Sequence, residues 1–321
     1  MSLEAEALAD RRRLKRHLSV WRFGAIIIFA LLIVGLLFGS VLSTSSWLTP
    51  DQIARVSIRG LITDDTKVSK MLADIKKSKS VQAVILHIDS PGGTTTGGEV
   101  LFASIREISS VKPVVAVFGT LATSAAYLVG IASDHIISRG NTITGSIGVI
   151  VQWAEVTDLL GKIGVKMETV KSGRLKATPS PFEPTTEESR EVTLELVKES
   201  QKWFNDLVAQ RRRIAPTDLA KLTSGRIFTG RQALKLKLID QIGGEEAAVR
   251  WLETNKGLAK DMKITNWRAN NSGLFGLFSI QGNLQNIIST LKLEKFANFV
   301  KLQEKIDILQ LDGLISVWHP R

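Results

Sequence analysis

Residues 83–88 read AVILHI and run directly into DSPGG. A nearly continuous apolar run is what a strand needs when both of its faces are covered, and such strands belong to parallel sheets packed between helices. The surrounding pattern agrees. Ile53 to Ile58 reads as a strand, Val68, Met71, Leu72 and Ile75 fall on one face of a helix, and Leu101, Ile105 and Ile108 mark a second helix between Gly98 and Ser110. Lys112-Pro113 then punctuates before another buried strand, Val114 to Phe118. The alternation predicts a right-handed layered α/β fold with ligands at the carboxyl ends of the strands, where the turn DSPGG and the stretch GTLATS both fall.

Farther along, His135–Ser138, Val149–Gln152 and Lys166–Val170 read as strands. Pro179, Pro181 and Pro184 mark an exposed, lid-like loop. Thr185 with Glu188 reads as a capping box that opens a long helix through Gln210, with Val192, Leu196, Phe204 and Leu207 as its apolar face.

The N-terminal region places the chain. From Phe23 to Leu42 every residue is apolar or small and none is charged, long enough to cross a bilayer core of roughly 30 Å as a helix. Arg11, Arg12, Arg13, Lys15, Arg16 and Arg22 precede it, whereas residues 43–57 carry only Asp51 and Arg55. The positive-inside rule keeps a basic arm, residues 1–22, in the cytoplasm and sends the domain at 43–269 across the membrane. A cleaved secretory signal is the competing reading. Residues 270–321 form an appendage, with an amphipathic stretch from Leu284 to Leu302 and a closing DGLISVWH.

Composition removes several chemistries. Cysteine is absent, so there are no thiol nucleophiles, thiolate ligands or disulfides. No HExxH or similar spacing suggests a metal, and no cofactor motif is present. Only His87 and His135, of four histidines, fall in the middle domain, so a Ser-His-Asp triad is poorly supplied. The net charge of +11 rests, outside the arm, on cations scattered among carboxylates, which fits a solvated face or anionic lipid headgroups rather than nucleic acid.

What remains is a serine and a lysine. Ser124 lies where a strand gives way to a helix, a position that a helix cap or a nucleophile would equally occupy; Thr123 is its rival. Glycines after a buried strand can aim backbone N–H groups at a developing oxyanion, as Gly92-Gly93 could, although most such runs are simple turns. A lysine near its model value of about 10.4 is an ammonium at neutral pH, so a lysine base requires a water-poor setting.

At DSPGG, the small-residue stretch around Ser124, TGSIGVI (Thr144–Ile150), KSGRLK (Lys171–Lys176) and SGRIFTGRQALKLKLIDQIGG (Ser224–Gly244), the chain resembles the signal peptide peptidase A family. These are membrane-anchored serine peptidases with the layered fold of Clp protease and crotonase, and the spacing here matches the short, single-domain form. The resemblance implies Ser124 as nucleophile, Lys176 as general base, Ser146 as the group that orients the lysine, and Gly93 with Ala125 as the oxyanion hole. It further implies an endopeptidase without cofactor that degrades remnant signal peptides, assembles as a homo-oligomeric ring, and sits in the bacterial inner membrane with its catalytic domain outside the cytoplasm. Ala125-Ala126 stands where the family often has Gly-Gly, and Lys237 where a glycine is common. A crotonase-like acyl-CoA enzyme and a catalytically silent membrane scaffold are the rival functions.

Overall fold

The computed structural model describes residues 21–31 and 50–269, together with a backbone strand at 315–317. The chain divides into two compact units, 1–50 and 51–321. In the first, helix α1 covers residues 21–31, and Trp21, Phe23, Ile26, Ile27, Ile28, Phe29 and Leu31 all point into open surroundings. Among the described residues no helix is long and apolar enough to cross a membrane. The rest of the expected span, the basic arm before Trp21 and the amphipathic stretch Leu284–Leu302 lie outside the described residues.

The second unit is built on β1 (Gln52–Ile62), β2 (Val81–Thr94), β3 (Val114–Thr123), β4 (His135–Ser138), β5 (Ile143–Gly145), β6 (Ile227–Thr229), β7 (Gln241–Ile242), β8 (Lys263–Trp267) and β9 (Ile315–Val317). They form one nine-stranded mixed sheet along the path β6-β5-β3-β2-β1-β8, with β4 also on β3, β7 on β4 and β9 on β2. Its centre is parallel: β1 with β2, β2 with β3, and β3 with both β4 and β5. Helices α2 (Thr66–Lys77), α3 (Thr95–Ser109) and α4 (Ala125–Ile131) make the crossovers.

The AVILHI run behaves as a strand covered on both faces must. Val84, Leu86 and Ile88 enter one core cluster with Leu72, Ile105 and Phe118. Ala83 and Ile85 enter another with Val115, Val117 and Ile137, and that face is closed by Ala248 and Leu252 of a later helix.

After β5 come α5 (Thr157–Lys162), α6 (Glu187–Arg212), α7 (Pro216–Leu222), α8 (Gly230–Lys235) and α9 (Glu245–Lys256). The expected strands at Val149–Gln152 and Lys166–Val170 do not form: Ile150 makes a single β-bridge, and residues 151–156 and 165–170 carry no regular structure. Alternating apolar residues become a strand only where a neighbouring edge supplies hydrogen bonds and a face to cover. Here Ile150, Val165, Met167 and Val170 are exposed instead.

Helix α6 starts one residue later than the Thr185/Glu188 box implies. Its cap is Thr186, which accepts from Ser189 N. Thr185 Oγ1 accepts the Trp153 indole N–H at 3.1 Å, and Glu188 accepts from Arg174. The apolar face divides. Phe204 and Val208 are buried against the sheet unit, whereas Val192, Leu194 and Leu196 are exposed.

Polar anchors hold the buried end. Arg211 donates to Ile131 O and Ser133 O, and Arg212 forms a 2.7 Å pair with Asp240, which also accepts from Ile136 N. Nearby Tyr127 donates to Leu238 O at 2.9 Å, and burial pushes its phenol above the ordinary range, so it remains a donor. Phe204→Ala should cost about 3–5 kcal/mol, the range for emptying a well-packed aromatic site. A urea-unfolding midpoint equal to the parent's would contradict this packing.

Candidate active site

DSPGG is not the turn expected of it. Strand β2 runs through to Thr94, slipping register against β1 between Arg59 and Leu61 and against β3 between Ile88 and Ser90. The two glycines serve different needs. Gly92 has φ +113°, a region side chains avoid. Gly93 lies so close to β1 that a Cβ would stand 1.8 Å from Ile62 O. The Gly92 N–H is taken by Ser90 Oγ at 3.1 Å.

Two bonds tie this strand end to β3. Asp89 Oδ1 accepts from Leu121 N at 3.0 Å, and Thr123 Oγ1 donates to Pro91 O at 3.0 Å. Thr123, the rival of Ser124, is fully buried and its hydroxyl donates to that carbonyl.

Ser124 follows at the junction of β3 and α4 with φ 58° and ψ −124°. These are the angles of the first central residue of a type II′ turn, normally a glycine, and they cost a side-chain-bearing residue on the order of 1–3 kcal/mol. A sharp strand-to-helix elbow of this kind lifts a hydroxyl out of the plane of the sheet. The side chain makes no capping bond to α4, so the cap reading of this serine is not the one adopted. Its N–H donates to Gly145 O at 2.8 Å, and its own carbonyl accepts from Leu128 N.

Ser146 is the neighbour across that bond. Thr123 pairs with Gly145 between β3 and β5, so the two serines are the next residues on adjacent strands. Ser146 is mostly buried, has φ 50°, and donates its N–H to Arg226 O at 2.8 Å. A cleft of about 350 Å³ opens beside it, lined by Ser146, Gly148, Val149, Ile150, Gln201 and Gly225 among others. Gln201 Oε1 fixes the Val149 N–H at that cleft.

Ala125 is the first residue of α4 and fully buried. Its methyl is housed by Gly98 of α3, where a Cβ would lie 3.2 Å from it. The extra carbon relative to glycine is thus accommodated by a glycine opposite.

Gly93, Ser124, Ala125 and Ser146 therefore come together at the carboxyl ends of β2, β3 and β5. Lys176 does not join them within the described chain. It is exposed on the loop between α5 and α6, its N–H closing a turn on Gly173 O, while Ser124 is buried. That loop is braced by Lys171 on Glu183, whose hydrogen bond holds the Glu183 carboxyl below its ordinary range, and by Arg174 on Glu188 at 2.9 Å.

The histidines sit elsewhere. His87 is six residues before Gly93 on β2, about 20 Å along a strand. His135 stacks on Trp251 at 4.6 Å and meets Gln241 at 3.2 Å.

Three supporting residues escaped sequence reasoning. Asp89 was visible inside DSPGG, although nothing local showed that it would hold β3. Arg226 lies within the motif Ser224–Gly244, although nothing there showed that its carbonyl would hold Ser146, and Gln201 is far from the site in sequence and carried no signal.

The pattern that defines peptidase family S49 matches residues 106–259, a span that contains Ser124, Ser146 and Lys176. A protein named as a protease in Synechocystis is 35% identical over 215 residues, 66% of this chain and 77% of that one. One named as a protease in Methanocaldococcus jannaschii is 34% identical over 207 residues, 64% of this chain and 67% of that one. One named as a signal peptide peptidase in Enterococcus faecium is 31% identical over 236 residues, 69% of this chain and 68% of that one. With the glycine strand end and the serine elbow set in one sheet and relatives matched over two thirds of their length, the chain belongs to peptidase family S49.

Proposed function

We propose that this chain is a membrane-anchored serine endopeptidase with a Ser-Lys dyad, built on a layered fold of the Clp protease and crotonase type. The observation that carries the reading is the strained backbone of Ser124 beside Gly93: a helix cap needs no such conformation, whereas a presented nucleophile does. In the reaction, neutral Lys176 takes the Ser124 Oγ proton as Oγ bonds to the peptide carbonyl carbon. The oxyanion rests on the Gly93 and Ala125 N–H groups. The C–N bond then breaks, the amine leaves with the proton from Lys176, and water hydrolyses the acyl-enzyme. Ser146 orients the lysine amine.

The exposure of Lys176 supports an assembled site. Val170, Leu175 and Phe182 are exposed on the same loop, so a second copy laid over them would bury apolar surface and dry the lysine together. This is the basis for a homo-oligomeric ring. Anchoring follows from the uncharged run at 23–42, the cations before it, and the outward apolar side chains of α1, which suit lipid. The domain then lies outside the cytoplasm beside the bacterial inner membrane, and remnant signal peptides are its substrate class, in line with the name of the Enterococcus relative.

Lys176→Met should lower fluorophosphonate labelling and peptide turnover by about 10²–10⁴-fold, the contribution of a general base. Specific activity of the parent should fall on dilution as the assembly separates. Unchanged labelling in Lys176→Met would remove the lysine from the mechanism; no labelling in any form would favour the scaffold or the acyl-CoA enzyme.

A further inference from the structure

The cleft beside Ser146 has walls drawn from distant parts of the chain. One is the segment 148–150, which follows Ser146, and the other is the turn 223–225 after α7. Gln201, on α6 just before Phe204, ties the two together. Its Oε1 accepts from Val149 N at 3.1 Å, while its Nε2 donates to Thr223 O at 3.2 Å and to Asn205 Oδ1 at 2.7 Å. Turning this amide over would set oxygen against the Thr223 carbonyl and N–H against the Val149 N–H, so its orientation is fixed by both walls. Gly148 faces the same space. A Cβ there would stand 3.5 Å from Gly225 Cα and 3.8 Å from Gln201 Oε1, ordinary contact distances, so a methyl group fits without strain and takes up room in the cleft.

We infer that Gln201 is a specificity-determining residue, a crossbar that sets the width of a pocket for one uncharged substrate side chain beside the bond to be cut. The inference rests on the peptidase reading for the last clause: Ser146 lines the cleft, and Gly145, the residue before it, accepts the Ser124 N–H. The rest comes from the lining. No ionisable side chain contributes to it. A charged side chain entering would give up hydration for no ionic partner, so the cleft selects uncharged residues, and the crossbar selects among them by size.

Fluorescent peptides Ala-Ala-Xaa-Ala-Ala, with Xaa Ala, Leu, Trp or Lys, measure the pocket by their binding to full-length chains in a Ser124→Ala background, where turnover does not intervene. The Lys peptide should bind less tightly than the Leu peptide. Gln201→Ala frees both walls and should raise the Trp-to-Ala affinity ratio about tenfold, whereas Gly148→Ala should lower it by about the same factor, the discrimination that a methylene-sized change in a pocket commands. Should Gln201→Ala not fold, Gln201→Glu takes its place: it keeps an acceptor for Val149 N and lacks the donors for Thr223 O and Asn205, so it should move the ratio in the same direction.

A Gln201 that only held the fold together would weaken every peptide alike. Such a uniform loss overturns the inference, as do ratios equal to the parent's in either variant, or a Lys peptide bound as tightly as the Leu peptide. If the ratios shift in opposite directions while the chain with Ser124 intact does not react with fluorophosphonate, the pocket stands and the peptidase reading falls.

Discussion

Ser124→Ala is expected to silence labelling and peptide turnover, by on the order of 10⁴-fold or more, while leaving the fold intact. The side chain supplies no cap to α4, so alanine removes nothing the helix depends on, and Ser124 N–H still reaches Gly145 O. The strain at φ 58° gives a second readout. Glycine adopts these angles freely, so Ser124→Gly should be more stable than Ser124→Ala by about 1 kcal/mol, although equally inactive. Urea unfolding of the three chains measures both effects. A Ser124→Gly chain no more stable than Ser124→Ala would contradict a strained elbow, and persistent labelling of Ser124→Ala would assign the nucleophile elsewhere.

Gly93→Ala should damage both stability and catalysis. Its Cβ would meet Ile62 O at 1.8 Å and Ile62 C at 2.5 Å, and these are backbone atoms of a paired strand that cannot swing aside. The ends of β1 and β2 must part, at a cost of about 3 kcal/mol by analogy with overpacked cores. The same displacement moves the Gly93 amide, and loss of one oxyanion donor costs about 10²–10³ in kcat. Gly173→Ala is the control: a Cβ there meets nothing within 4 Å, so its stability should stay within about 0.5 kcal/mol of the parent. Thermal unfolding and initial rates on the two variants decide the matter. A Gly93→Ala chain that melts and turns over like the parent would refute the tight approach of the two strands.

The buried centre of the sheet was legible in the sequence because strands covered on both faces leave an unbroken apolar signature, and the helices on either side of β2 carry clean periodicity. Legibility failed where tertiary context decides. Val149–Gln152 and Lys166–Val170 have the apolar content of strands, yet the first makes only a single bridge at Ile150 and the second carries no regular structure. DSPGG has the composition of a turn, but the glycines there permit close strand approach and a bulge, so pairing continues through them. Thr185 and Thr186 are equally good caps by type, and the Trp153 indole claims the first. Of the site, the identities of Gly93, Ser124, Ala125 and Ser146 could be read from motifs. Their adjacency needed the β2–β3–β5 register, and the pairing of residues 315–317 with β2 had no signal in a stretch that reads only as an appendage.

Helix α6 is a rod of 26 residues, about 39 Å long, clamped at one end. Phe204, Val208 and the Arg211 and Arg212 anchors grip its last turns, while its first turn packs on the loop that carries Lys176, where Ser189 is buried and Glu188 accepts from Arg174. A cantilever magnifies. With an arm of about 25 Å from Phe204 to the cap, a tilt of about 5° at the clamp carries the tip through about 2 Å. Reacting groups misaligned by about 1 Å can lose two orders of magnitude in rate. Small adjustments at the Arg212–Asp240 footing are therefore geared up into large displacements of the loop that carries Lys176, and on the proposed dyad these would show as changes in rate.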